Sequence, residues 1–189
     1  MKQKKAGRFP PKTISRAEFL AGESDYEFRN GIYRFVQAAR RFGDCREAFG
    51  RQIGLTSSQF LVIMGVAYAQ GDQGITIASI ASHVGLAATH VTTEVGRLLR
   101  MGLLSKRPSL SDRRSVEVSL TPEGEAAVRE AIVLVRRIND ILFKDISRSE
   151  FEGLVKVSEK LIRNSEYALT ELRVLQSDLD AEEIGAMRA

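Results

Sequence analysis

Apolar residues recur with helical spacing along most of this chain and with strand alternation in one short stretch. Between residues 24 and 51 the side chains Phe28, Ile32, Phe35, Ala39, Phe42 and Phe49 share one stripe, which predicts a long amphipathic helix. Gly50 and Gly54 break it. Thr56 and Gln59 have the capping-box spacing for a second helix over about residues 60–69, ended by Gly71 and Gly74. Thr76 is a good N-cap for a short helix, residues 77–84, and Gly85 suits the left-handed conformation that ends it. A turn leads to a fourth helix over about residues 87–101. Leu86, Val91, Val95, Leu98 and Leu99 form its apolar stripe, while Ala88, Thr89, His90, Thr92 and Thr93 are small or polar. Gly102 stops it, and the period then changes. Residues 103–106 suit one strand and 115–120 another, with Val116, Val118 and Leu120 facing in and Glu117 and Ser119 facing out. Ile75 and Thr76 can add a short edge strand.

Two more helices follow. Thr121, Pro122 and Glu123 supply an N-cap, a first-turn proline and a first-turn acid, ahead of a stripe of Val128, Ile132, Val135, Ile138 and Leu142. Ser147 and Glu150 form another capping box. The last helix carries Phe151, Leu154, Leu161, Ala168, Leu172, Leu175 and Leu179, with no proline to interrupt it. Long terminal helices with a heptad-like stripe need something to bury against, and a second copy of the chain would provide it. The predicted fold is mainly α with a small β wing. Residues 56–121 form a winged helix-turn-helix, residues 23–55 and 122–189 a helical dimerisation region, and residues 1–22 a basic flexible tail with one helical turn starting at Ser15.

The chain has 189 residues, 43% of them hydrophobic, enough for one good core. Its net charge of +4 is concentrated. Lys2, Lys4, Lys5, Arg8, Lys12 and Arg16 stand against Glu18 near the start. Arg97, Arg100, Lys106, Arg107, Arg113 and Arg114 stand against Asp112 in the loop between the two strands and the helix before it. Basic patches of this kind solubilise a surface or meet a polyanion, and the helix-turn-helix beside the second favours DNA. The tail has both readings open, DNA contact and simple disorder. A helix with short hydrogen-bonding groups on its outer face suits a major groove, and a basic hairpin beside it suits phosphates or a minor groove.

The stretch from Leu86 to Gly124 resembles the winged helix of the MarR (multiple antibiotic resistance regulator) family. The resemblance rests on Val91-Thr92, Gly102-Leu103, Asp112-Arg113-Arg114, Leu120-Thr121 and Gly124, with Gly54-Leu55-Thr56 and Gln59 upstream. It implies a homodimeric transcription regulator, a repressor that binds a palindromic, inverted-repeat operator in double-stranded DNA. It further implies release by a small aromatic acid, phenol or other lipophilic anion. The alternative is an architectural DNA-binding protein with no effector.

The candidate DNA contacts are Ala88, Thr89, His90, Thr92, Thr93 and Arg97 on the fourth helix. Threonine can meet a thymine methyl or a phosphate, and His90 can donate to a base acceptor or a phosphate. The helix lacks Asn and Gln and its arginines come late, so groove shape carries much of the specificity. In the wing, the resemblance implies that Arg114 enters the minor groove while Asp112 orients it, and Arg113 suits a phosphate. An ion pair within the loop is the bland reading, and exposed pairs stabilise little. Arg29, Tyr33 and Arg40 lie on one line of the first helix, where they could hold an anionic phenol, with Phe60, Met64 and Tyr68 as walls. Surface charge and dimer contacts explain the same line.

His83 and His90 stand without a cysteine nearby, too few ligands for a metal site, and no cofactor is expected. The single cysteine, Cys45, excludes an intramolecular disulfide and comes late in the first helix, unlike the early cysteine with which some MarR relatives sense peroxide. No phosphate loop or nucleophile-base pattern suggests an enzyme. Without an apolar run long enough for a membrane span or a secretion signal, the expected location is the cytoplasm.

Overall fold

The computed structural model describes residues 10–109 and 115–187, with side chains through residue 179. The elements run α1 (Tyr26–Gln52), α2 (Ser57–Ala69), β1 (Ile75–Thr76), α3 (Ile77–Val84), α4 (Ala88–Arg100), β2 (Leu104–Pro108), β3 (Val116–Leu120), α5 (Pro122–Leu142) and α6 (Arg148–Met187). A short 3-10 turn, Ala17–Phe19, precedes them. The three strands make one antiparallel sheet in the order β1-β3-β2. The chain divides into two compact units at residue 139.

Local signals account for most boundaries. The Gln59 backbone N–H donates to Thr56 Oγ1 at 3.3 Å, and the Thr56 N–H donates to Gln59 Oε1 at 2.9 Å. That reciprocal cap starts α2 at Ser57, three residues earlier than the apolar run alone suggests. Thr76 caps α3 through the Ser79 N–H. Gly85 ends it in the left-handed region at φ 69°. Thr121 Oγ1 accepts from the Gly124 N–H at 3.0 Å and donates to the Gly102 carbonyl at 2.7 Å, tying the start of α5 to the end of α4. Gly124 is required there: a Cβ would stand 2.0 Å from the Leu103 carbonyl oxygen. Ser147 and Glu150 close the capping box of α6, and the Ser147 hydroxyl and N–H hold the Glu150 carboxyl below its ordinary range.

In the first unit, Val62, Ile63 and Val66 of α2, Ile80 of α3, Val91 and Leu98 of α4 and Val118 of β3 lose all solvent contact. Ala131 of α5 is also buried, with Val128, Ile132, Val135 and Ile138 packed against the same core. This is the core that aims α4 outward.

Three expectations are corrected. β2 covers Leu104–Pro108 rather than residues 103–106. In β3, Glu117 is buried and Val116 is exposed, the reverse of simple alternation. β3 is the central strand, and Arg107 stands opposite Glu117 in the register. Glu117 accepts from Ser109 Oγ at 2.8 Å and lies 3.4 Å from Arg107 Nε, so its outer face is roofed by side chains. Val116 shares the inner face with Val118 but lies toward the hairpin tip, where the core no longer reaches. Third, the turn covers Ala17–Phe19 rather than starting at Ser15. Arg16 precedes the 3-10 turn and takes the Glu18 carboxylate for itself.

Residues 10–25 are tied to α1. The Thr13 N–H and hydroxyl both donate to Asp25 Oδ2, at 2.6 and 2.8 Å, and Phe19 packs on Phe28. The other Asp25 oxygen, Oδ1, pairs with Arg29 Nε at 3.1 Å.

In the second unit, α6 runs for 40 residues, about 60 Å at the helical rise. Phe151 stacks edge-on against Phe143 at 5.7 Å. Among its described residues, none is buried.

Candidate nucleic-acid interface

Helices α3 and α4 are joined by three residues, Gly85, Leu86 and Ala87. The positive φ of Gly85 turns the chain, and the extended Ala87 starts α4 as its N-cap. Val91, Val95 and Leu98 of α4 are buried. Ala88, Thr89, His90, Thr92, Thr93 and Arg97 are all exposed. The six sequence candidates on this helix therefore lie together on one solvent face.

Their hydrogen bonds differ in what they leave free. Thr92 Oγ1 donates to the Ala88 carbonyl at 2.8 Å and Thr93 Oγ1 to the Thr89 carbonyl at 3.1 Å. Their methyl groups and oxygen lone pairs remain for an outside partner. Arg97 Nη1 donates to Glu94 Oε1 at 2.7 Å, and His90 Nε2 stands 3.5 Å from the same oxygen. Glu94, which periodicity among apolar residues did not single out, is buried.

In the hairpin beside α4, the Ser109 N–H donates to the Ser115 carbonyl at 3.0 Å, closing the base of the loop between β2 and β3. Arg107 Nη2 donates to Gln73 Oε1 at 2.6 Å, which fastens β2 to the turn before β1. Gln70 Oε1 accepts from the Leu120 N–H at 2.8 Å. Lys106 is exposed on β2. Asp112, Arg113 and Arg114 lie outside the described residues.

A cavity of ≈ 580 Å³ opens between α1, α2, α3 and α5. Phe60, Met64 and Tyr68 line it. Arg29, Tyr33 and Arg40 do not; Arg46 and His83 stand there instead. Arg29 follows Arg46 backward by roughly 25 Å of helix axis, so one small ligand cannot reach both. Arg46 is the cation that periodicity could have shown: it lies four residues after Phe42 and three before Phe49, on the buried edge of α1. Its partial burial lowers the pKa of its guanidinium. Cys45, beside it, is a half-buried free thiol.

The helix-turn-helix, the strand pair that follows it and the edge strand β1 define a winged helix-turn-helix. The MarR family model matches residues 55–116, the segment that holds α2 to the start of β3. Solved structures share the wider fold. A regulator from Bordetella bronchiseptica, BpsR, whose DNA binding is regulated by 6-hydroxynicotinic acid, is 22% identical, with a TM-score of 0.57 over 70% of this chain and 98% of its own. A cysteine-to-serine variant of MarR from E. coli, in complex with operator DNA, is 21% identical, with a TM-score of 0.58 over 69% of this chain and 93% of its own. PcaV from Streptomyces coelicolor, solved with its natural ligand, is 23% identical, with a TM-score of 0.54 over 67% and 90%. At these identities the likeness is one of fold.

Proposed function

We propose that this protein is a MarR-type transcription regulator that binds double-stranded DNA as a homodimer. The observation that carries this reading is the outer face of α4, where Ala88, Thr89, His90, Thr92, Thr93 and Arg97 are exposed together on a helix whose other face closes the core. A twofold dimer with one such helix per chain meets DNA as an inverted repeat, its half-sites about 10 base pairs apart. Arg114 enters the flanking minor groove, Asp112 orients it and Arg113 meets phosphate.

The protein acts as a repressor and is released by a small aromatic acid, phenol or lipophilic anion. The cavity supports this part: aromatic and apolar walls from Phe60, Met64 and Tyr68 surround a guanidinium, Arg46, and an imidazole, His83. A carboxylate beside Arg46 would gain a charge-assisted pair in a partly desolvated site. The regulation of BpsR by an aromatic acid points to the same ligand class.

The experiment is fluorescence anisotropy at fixed salt, on a duplex recovered by the wild-type protein from a randomised library and on a scrambled duplex, with and without 6-hydroxynicotinate. Wild type should prefer the recovered duplex and release it when the acid is added. Arg114→Ala should weaken binding by about 1–3 kcal/mol. Arg46→Ala should leave DNA affinity intact and abolish release. If DNA binds with preference but no acid or phenol affects it, the effector-independent architectural protein is the better reading.

A further inference from the structure

Glu94 is an unexpected residue on α4. It follows the buried Val91 by three residues and precedes the buried Leu98 by four, so it sits on the core side of the helix. Its residue exposure is 3%. A carboxylate there has been taken out of water, which is costly unless every lone pair is matched. Here the match is incomplete. Oε1 takes the Arg97 guanidinium at 2.7 Å and faces His90 Nε2 at 3.5 Å, while Oε2 is buried with no hydrogen-bond partner among the described residues. A leucine would fill this place between Val91 and Leu98 without that cost. Fold stability therefore explains Glu94 poorly.

What Glu94 does hold is the long part of the outer face. Arg97 and His90 are each about half exposed, with side-chain exposures of 48% and 45%, and each reaches back to the same carboxylate oxygen. The threonines on this face are fixed by their own helix turn. Arg97 and His90 have long or rotatable side chains, and Glu94 is the anchor that sets them.

We infer that Glu94 is a positioning residue for DNA readout. It holds Arg97 and His90 in one arrangement on α4 and keeps part of the Arg97 charge from pairing with any phosphate in reach. This rests on the DNA-binding reading above. Arg97 has five N–H donors and spends one on Glu94, so the rest stay available in a fixed direction. A free arginine at the same place would bind phosphate wherever it found it. Phosphate contacts add affinity without sequence information. Glu94 thus lowers general DNA affinity and raises discrimination.

The test compares wild type, Glu94→Gln, Glu94→Leu and Arg97→Ala, on the recovered and the scrambled duplexes, across a salt series. Glu94→Gln keeps the shape and removes the charge. It should bind the scrambled duplex about 3–10-fold tighter, with the slope of log K against log salt steeper by roughly one phosphate contact. Its affinity for the recovered duplex should change less, so discrimination shrinks. Glu94→Leu should melt at or above the wild-type temperature and still lose discrimination. With Arg97 already alanine, Glu94→Gln should leave the scrambled-duplex affinity and the salt slope unchanged. A purely structural Glu94 would give a different pattern: lower melting, binding to both duplexes weakened in proportion, and an unchanged salt slope. That pattern, or full discrimination in Glu94→Leu, overturns the proposal. If the wild type recovers no preferred duplex, the DNA-binding reading itself fails and this inference falls with it.

Discussion

The winged helix and the last helix of this chain treat apolar side chains in opposite ways. In the winged region, Val62, Ile63, Val66, Ile80, Val91, Leu98 and Val118 have no solvent exposure at all. On α6, Phe151, Leu154, Val157, Leu161, Ile162, Leu172 and Leu175 are all exposed. The first half of α1 resembles α6: Ile32, Phe35 and Val36 face solvent, whereas Phe49 near its end is buried. One region completes its core within a single chain. The other carries a comparable apolar stripe that is exposed among the described residues, and the proposed second copy would cover it. Folding of the winged region and the proposed dimerisation should therefore respond separately to mutation.

The largest effect should come from the closed core. Leu98→Ala removes a fully buried side chain beneath α4 and should cost about 2–5 kcal/mol. Chemical denaturation should show that loss in the winged-region transition, together with loss of DNA binding. A midpoint shift under half that size would mean that the core beneath the DNA-binding face is not closed in solution.

A smaller and different effect belongs to the open stripe. Leu161→Asp places a charge where a second copy would pack, and should raise the dimer dissociation constant by tenfold or more, about 1.4 kcal/mol. The near-native winged region should survive, visible as unchanged far-ultraviolet circular dichroism at high concentration. If Leu161→Asp leaves self-association untouched, the α6 stripe is not the interface.

The smallest effect is at the N-terminal end of α1. The Thr13 N–H, first, and then its hydroxyl and Arg29 hold the Asp25 carboxyl below the ordinary aspartate range, against the opposing effect of burial. A depressed carboxyl contributes stability above its unfolded value, about 3.9, and loses it as the pH falls through the lower folded value. Melting temperatures followed from pH 6 downward should thus fall more steeply below about pH 4 in wild type than in Asp25→Asn. Identical profiles would show that the Thr13 contact contributes nothing.

The sequence made the helices legible because their starts carry explicit chemistry: Thr56 with Gln59, Thr76, Thr121 with Pro122, Ser147 with Glu150. The helix-turn-helix was legible because Gly85 marks the turn and the outer face of α4 contrasts with its inner one. Two residues were not. Glu94 and Glu117 are buried carboxylates, and a pattern that sorts side chains into apolar-in and polar-out assigns both to solvent. Only the contacts from Arg97, Arg107 and Ser109 reveal why they are inside. The cavity was half legible. Phe60, Met64 and Tyr68 were visible as one helix face, but three spaced polar residues on α1 drew attention to Arg29, Tyr33 and Arg40. Spacing shows which residues share a line, not which end of a 27-residue helix meets α2. Arg46 does, because Phe49 next to it is where α1 enters the core.

On the proposed function, each chain supplies half of a twofold DNA reader. Analytical ultracentrifugation of the protein with a duplex it has selected tests this most directly. Free protein should sediment at twice the 21.0 kDa chain mass, and the complex should hold two chains on one duplex bearing an inverted repeat. A monomer that binds the selected duplex one to one would contradict the claim.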